Sequence, residues 1–261
     1  MKSLLFIIVV LSSCSSLSAQ KNESSKYKGA PVMNFYYENY IHKTGYLAEH
    51  FFVGGEADEF FDSFTPVIVP EYFFLGTLNG FSLRTKSLEK DKIAQYSVEE
   101  KPLVEYLEKY FLETLNIPIT VEEKENENKK ITISIYSPEL MQIKQAFFDQ
   151  KTGALKEDLF QTDEEIASYL LGVYYRFGRK IDGNNYEILQ RRIFIGFEKM
   201  FSLLLKMHVR KVVYIDAPQR VPFDPKFMDG EYKFLFEPSQ YLGKYLDTIK
   251  EEKKKLLYRY Y

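Results

Sequence analysis

Two carboxylates are the residues of this chain best placed to do chemistry. Asp216 ends a short apolar run, Val212-Val213-Tyr214-Ile215, and Asp224 sits in the Pro-rich connection that follows, Ala217 to Gly230. Long connections at strand ends often carry function, and in sheets covered by helices ligands gather beyond the carboxyl ends of parallel strands. A carboxylate pair there would serve as general acid and base in a hydrolysis. No nucleophile, histidine or glycine-rich motif stands beside the two acids, so a Pro-stiffened loop, with Asp216 capping a turn, accounts for the same residues.

Other polar groups invite a metal. His42 and His50 fall near Glu49, Glu56, Asp58 and Glu59. Their spacing matches no ligand signature such as two histidines on one helical turn, and surface histidines beside a solvated acidic loop explain them. Asp182-Gly183-Asn184-Asn185-Tyr186-Glu187 resembles the start of a calcium loop. It fails at the fifth position, where Tyr186 offers no ligand in place of an oxygen donor, and at the sixth, where Glu187 replaces glycine. His208 reads as a structural histidine near a helix end. Three scattered histidines and one cysteine assemble no nucleophilic set, and no metal and no cofactor are expected, which leaves Asp216 and Asp224 as the catalytic candidates.

That cysteine is Cys14, and it lies in the leader. Met1-Lys2-Ser3 is a short positive start, and Leu4 to Leu11 is an unbroken apolar run. Such a run is too short to span a bilayer but suits a signal peptide over residues 1–19. Leu11-Ser12-Ser13-Cys14 resembles the lipobox of bacterial lipoproteins. The resemblance implies cleavage before Cys14 and acylation of that residue. The rival cut falls after Ala19 and would release a soluble exported protein. Lipidation is favoured because the sole cysteine closes the apolar run. Residues 15–28 are rich in Ser, Lys, Asn and Gln and read as a flexible polar tether.

The net charge of −2 and the lack of a basic stripe exclude nucleic acid as an expected partner. Aromatic content is high, with 21 Tyr and 22 Phe but no Trp. AT-rich codon usage explains this more simply than a set of ligand-stacking platforms. The function expected is therefore an exported cell-envelope protein, a lipoprotein held to the membrane through Cys14, with a non-enzymatic binding or assembly role beside an envelope partner. The alternatives are an exported hydrolase using Asp216 and Asp224, and a soluble binding protein with an aromatic-lined cavity.

The elements that must position any site are read from periodicity. Phe51-Phe52-Val53 and Tyr72-Phe73-Phe74-Leu75 are strand-like runs, with Gly76 and Gly80 marking bends. Val67-Ile68-Val69, between prolines, is an edge strand or extended segment. Leu103, Val104, Leu107, Tyr110, Phe111 and Leu115 define an amphipathic helix ended by Asn116 and Pro118. Ile117, Ile119 and Val121 alternate with polar or Pro residues, as do Ile131, Ile133 and Ile135, which predicts a hairpin. Ser137-Pro138-Glu139 and Ser239 open helices, and Glu231 to Glu237 is a strand.

From Thr162 the spacing predicts a buried helical pair, about 162–208. Thr162-x-x-Glu165 is a capping box, Ile166 to Ile181 supply one apolar face, and Asp182 to Asn185 stop the first helix. Ile188, Leu189, Ile193, Phe197, Phe201 and Leu204 then supply the second. The charge run Glu251 to Lys255 reads as a solvated helix face. No internal repeat is visible. The expectation is a single α+β domain over 29–261, with strands and hairpins mainly in the first half and the helical pair in the second.

Overall fold

The computed structural model describes residues 50–53, 64–78, 91–125, 129–148, 156, 158–191, 197–216 and 231–256. By proximity of Cα atoms the chain divides into Met1–Leu47 and Ala48–Tyr261, and every described residue lies in the second unit. The order of elements is β1 (His50–Val53), α1 (Pro70–Thr77), β2 (Lys92–Ser97), α2 (Lys101–Leu115), β3 (Thr120–Glu125), β4 (Ile131–Tyr136) and α3 (Pro138–Phe147). It continues with α4 (Asp163–Phe177), β5 (Gly178–Asp182), β6 (Asn185–Arg191), α5 (Phe197–Lys206), β7 (Lys211–Asp216), β8 (Glu231–Glu237), α6 (Gln240–Thr248) and α7 (Lys250–Lys254). The fold is mixed α+β, with two antiparallel sheets ordered β2-β4-β3 and β1-β7-β8-β6-β5.

Local chemistry sets most boundaries. Ser137 Oγ accepts from Leu140 N–H at 3.4 Å to start α3, and Ser239 Oγ accepts from Leu242 N–H at 3.3 Å to start α6. Thr162 and Glu165 satisfy each other across the first turn of α4, at 3.2 and 3.0 Å. Each bond removes one of the donors that a helix start leaves without a partner. Asn116 ends α2 in the left-handed region, φ 54°, which asparagine tolerates better than most residues.

Three sequence expectations fail. Tyr72-Phe73-Phe74-Leu75 lie in helix α1 and not in a strand. Aromatic residues favour strands only where a pleated surface awaits them, and here Pro70 starts a helix that buries Phe73 to Thr77. The second helix of the expected pair is shorter than its apolar run. Residues 178–191 form the β5–β6 hairpin, and α5 spans only Phe197–Lys206. Asp182 to Asn185 do bend the chain, with Gly183 at φ 41°, but they turn a hairpin and do not cap a helix. Short apolar runs fit either period, and here the turn decided.

The chain also contains a repeat. The order α1-β2-α2-β3-β4-α3 recurs as α4-β6-α5-β7-β8-α6, and β5, between α4 and β6, has no counterpart among the described residues of the first copy. Strands keep the same neighbours, β2-β4-β3 in one and β6-β8-β7 in the other. Ser137 and Ser239 cap the equivalent last helices. The two copies meet where α1 crosses α4. A Cβ placed on Gly76 would overlap Tyr169 O and lie 2.9 Å from Gly172 Cα. One placed on Gly172 would overlap Phe73 O and lie 3.0 Å from Gly76 Cα. Phe73-x-x-Gly76 and Tyr169-x-x-Gly172 are thus exchanged with each other, the reciprocity expected of an isologous two-fold contact. The repeat escaped the sequence reading because it fixes so few positions: an aromatic, a glycine three residues on, and a serine cap.

Around this crossing the core is aromatic. Phe73 stacks on Tyr175 (6.2 Å) and meets Tyr110 edge-on (5.3 Å), and Tyr106 meets Tyr175 edge-on at 5.1 Å. Helix α4 is buried continuously from Ile166 to Arg176. The tyrosines and phenylalanines named here pack against one another, which corrects the expectation of an aromatic-lined ligand cavity.

Gly172→Ala should destabilise the protein by about 3 kcal/mol or more, at the upper end of overpacking costs, because backbone on both helices must separate. Gly243, in α6, whose added Cβ would meet nothing within 4 Å, is the control and should be stabilised by up to about 1 kcal/mol on the same substitution, through helix propensity. Urea denaturation of both variants checks this.

Candidate functional site

The polar groups that the fold concentrates lie where α1 and α4 end. A helix leaves its last carbonyls without intrahelical partners, and these carry the negative end of the helix dipole. Buried, they need donors. Arg176, in the last turn of α4, supplies one to α1: its Nη1 donates to Thr77 O at 2.7 Å. Its Nη2 donates to Gln95 O at 3.1 Å. Its Nε and Nη2 also hold Glu100, at 2.6 and 3.2 Å, in a two-point ion pair. The guanidinium lies over the Tyr96 ring, 4.1 Å from its centroid. Glu100 in turn accepts from Ser97 N–H at 2.8 Å, so the pair is tied to the turn that opens α2.

Lys253 performs the same task for α4. Its Nζ donates to Tyr174 O at 2.8 Å and to Tyr175 O at 2.7 Å, 4.9 Å from the Tyr174 ring. Lys144 in α3 donates to Ile93 O at 2.5 Å. Burial pulls the Lys253 ammonium well below the usual lysine range and that of Lys144 down to about 8. Burial likewise pushes the Tyr96 hydroxyl up, with Arg176 pulling against it.

Chemically, this constellation is structural. The Arg176 side chain is 0% exposed. Its donors, like those of Lys253 and Lys144, point at carbonyls or at Glu100, and no solvent-facing nucleophile or acid/base pair results. The sequence did not mark these cations, because one arginine on an apolar helix and one lysine in a charge run look like solvated residues. Lys253 corrects that reading of Glu251 to Lys255: it is buried, while Lys254 and Lys255 pair with Glu251 and Glu252 on the outside.

Only some of the sequence-derived candidates lie among the described residues. Asp216 is the last residue of β7, opposite Tyr232 of β8. His50 pairs with Tyr214 across β1 and β7. Cys14, His42, Glu49, Glu56, Asp58, Glu59 and Asp224 lie outside the described residues. Asp182, the first acid of the calcium-like run, accepts from Asn185 Nδ2 at 2.7 Å within its turn. His208 is exposed in the left-handed region, φ 51°, at the end of α5. Among the described residues, no three His, Cys, Asp or Glu could hold a metal ion, and no helix is long and apolar enough to cross a membrane.

No family model matches the chain, and no curated protein matches it. Solved structures do. Mesophilic variants of the homing endonuclease I-DmoI are 14% identical with a TM-score of 0.42, over 69% of this chain and 88% of that one. I-DmoI in complex with DNA and calcium is 14% identical with a TM-score of 0.38, over 69% and 85%. The homing endonuclease I-WcaI bound to its DNA recognition sequence is 17% identical with a TM-score of 0.38, over 76% and 90%. Scores this low assign neither family nor activity to the chain.

The envelope lipoprotein with a membrane partner through Cys14 is withdrawn, as are its two alternatives, the exported hydrolase and the aromatic-lined binding protein: the similar structures named above are homing endonucleases, two of the three bound to DNA. The lipoprotein reading rested on a leader that says nothing about the folded body. The exclusion of nucleic acid is also withdrawn. It rested on net charge, a whole-chain sum that hides local distribution. From Thr162 onward the chain holds 18 Lys and Arg against 14 Asp and Glu, so the acidic excess lies entirely before it.

The buried lysines make stability depend on pH. Lys144 has a folded-state pKa near 8, below its unfolded value, so the folded state binds fewer protons between about pH 8 and 10.5. Stability must therefore rise with pH through that window. Relative to Lys144→Met, the parent protein should gain up to about 3 kcal/mol between pH 7.5 and pH 10, and the raised tyrosine pKa values cancel in the comparison. Urea titrations of both proteins at the two pH values measure it; a constant difference would contradict the assignment.

Proposed function

We propose that this chain is a duplicated binding scaffold and that its ligand is a nucleic-acid duplex. The observation that carries the reading is the reciprocal crossing at Gly76 and Gly172. It joins two like halves through one buried helix pair, and three strands of each half's antiparallel sheet share one order, β2-β4-β3 and β6-β8-β7. A duplex has strands related by two-fold axes, and protein two-folds commonly match them. Its major groove also accepts a two-stranded β-ribbon. The β5–β6 hairpin has that form. It carries Arg179, paired at 2.8 Å to the buried Glu187 and still 45% exposed, and Lys180, exposed beside the Tyr186 ring. The likeness to DNA-bound structures, at its low scores, adds nothing to this argument.

Fluorescence anisotropy with a random-sequence DNA duplex tests the reading. Binding at low salt should weaken steeply as salt rises, because phosphate contacts release counterions. The double substitution Arg179→Glu, Lys180→Glu should weaken binding by about tenfold or more and flatten the salt slope. No binding at low salt, or binding indifferent to both salt and the substitution, would refute the proposal.

A further inference from the structure

The second half carries one element that the described residues of the first do not repeat. Beyond α6, the chain adds α7 and turns its Lys253 inward. Ile249 and Leu256, at either end of α7, are buried apolar anchors, and Lys253 is buried between them. The carbonyls that Lys253 holds belong to Tyr174 and Tyr175, in the last turn of α4. Tyr174 O is also the acceptor for Gly178 N–H, the first amide of β5. Lys253 thus grips the corner at which α4 becomes the β5–β6 hairpin. The same corner touches the first half, since Tyr175 packs edge-on against Tyr106 of α2 at 5.1 Å, and the Glu252 carboxylate acts on both hydroxyls.

We propose that α7 is a clasp: the Lys253 ammonium, seated on the terminal carbonyls of α4, holds the base of the β5–β6 hairpin and so sets how freely that hairpin moves. The clasp is local. Both carbonyls named for Lys253 belong to α4, whereas the corner of the β2-β4-β3 sheet is held by Arg176 through Thr77 O, Gln95 O and Glu100. Loss of Lys253 therefore loosens one hairpin and not the whole fold. The inference stands apart from duplex binding, because it concerns the motion of the hairpin and is read without ligand.

Hydrogen exchange of the full chain and its Lys253→Met and Lys253→Arg variants tests it. Methionine keeps the apolar stem and removes the donors; arginine keeps a cation. In Lys253→Met the amides of Gly178–Asp182 should exchange about tenfold faster or more, while those of Ile131–Tyr136 keep the parent rate. Lys253→Arg should recover part of the protection. Unchanged protection at Gly178–Asp182 would overturn the proposal. So would a uniform loss across both sheets, or failure of Lys253→Met to fold, because each would make Lys253 a general support and not a clasp.

Discussion

Two helix backbones touch at the centre of this protein, and the rest of the described fold follows from that contact. Helices normally pack 8–10 Å apart because side chains stand between them. At Gly76 and Gly172 nothing stands between. The aromatic residues three positions earlier, Phe73 and Tyr169, lie beside the crossing, with their carbonyl oxygens against the opposite glycine. Such closeness favours Cα–H to carbonyl contacts and fixes the angle between the helices.

The close crossing creates a second problem, which the buried cations solve. With α1 and α4 packed at the centre, their last carbonyls cannot all reach water. Arg176 donates to the end of α1, and Lys253 to the end of α4. Arg176 brings Glu100 as a counter-ion, and the Lys253 ammonium is seated on two carbonyl dipoles beside a tyrosine face. Burial depresses that ammonium strongly. The helix ends thus hold positive groups without forming a reactive centre: every donor named there already has an acceptor.

How much of this was legible in the sequence depends on how local the cause was. Caps and turns were legible. Thr162 with Glu165, Ser137, Ser239 and Asn116 act over three or four residues, and each does what its spacing predicts. The Asp182 to Asn185 bend was legible as a bend, but its partners lie in strands that sequence distance hides. Gly76 read as a bend because isolated glycines weaken helices, and its value emerges only opposite Gly172. Lys253 was hidden for the same reason: Glu251 to Lys255 offers several equal charges, and only the tertiary fold chooses which one turns inward. Asp216 and Asp224 drew notice because strand ends often carry function; Asp216 does close β7, and Asp224 lies outside the described residues.

The reciprocal contact of the two glycines is the central claim, and proton NMR of protein labelled with carbon-13 only at glycine tests it most directly. The chain has 13 glycines, few enough to assign by substitution. The account predicts a strong nuclear Overhauser effect between the Hα protons of Gly76 and Gly172, because a Cβ on either would lie about 3 Å from the other's Cα. Absence of that effect in a folded sample, with both resonances assigned, would mean that side chains separate the helices and that the two halves are not joined as described.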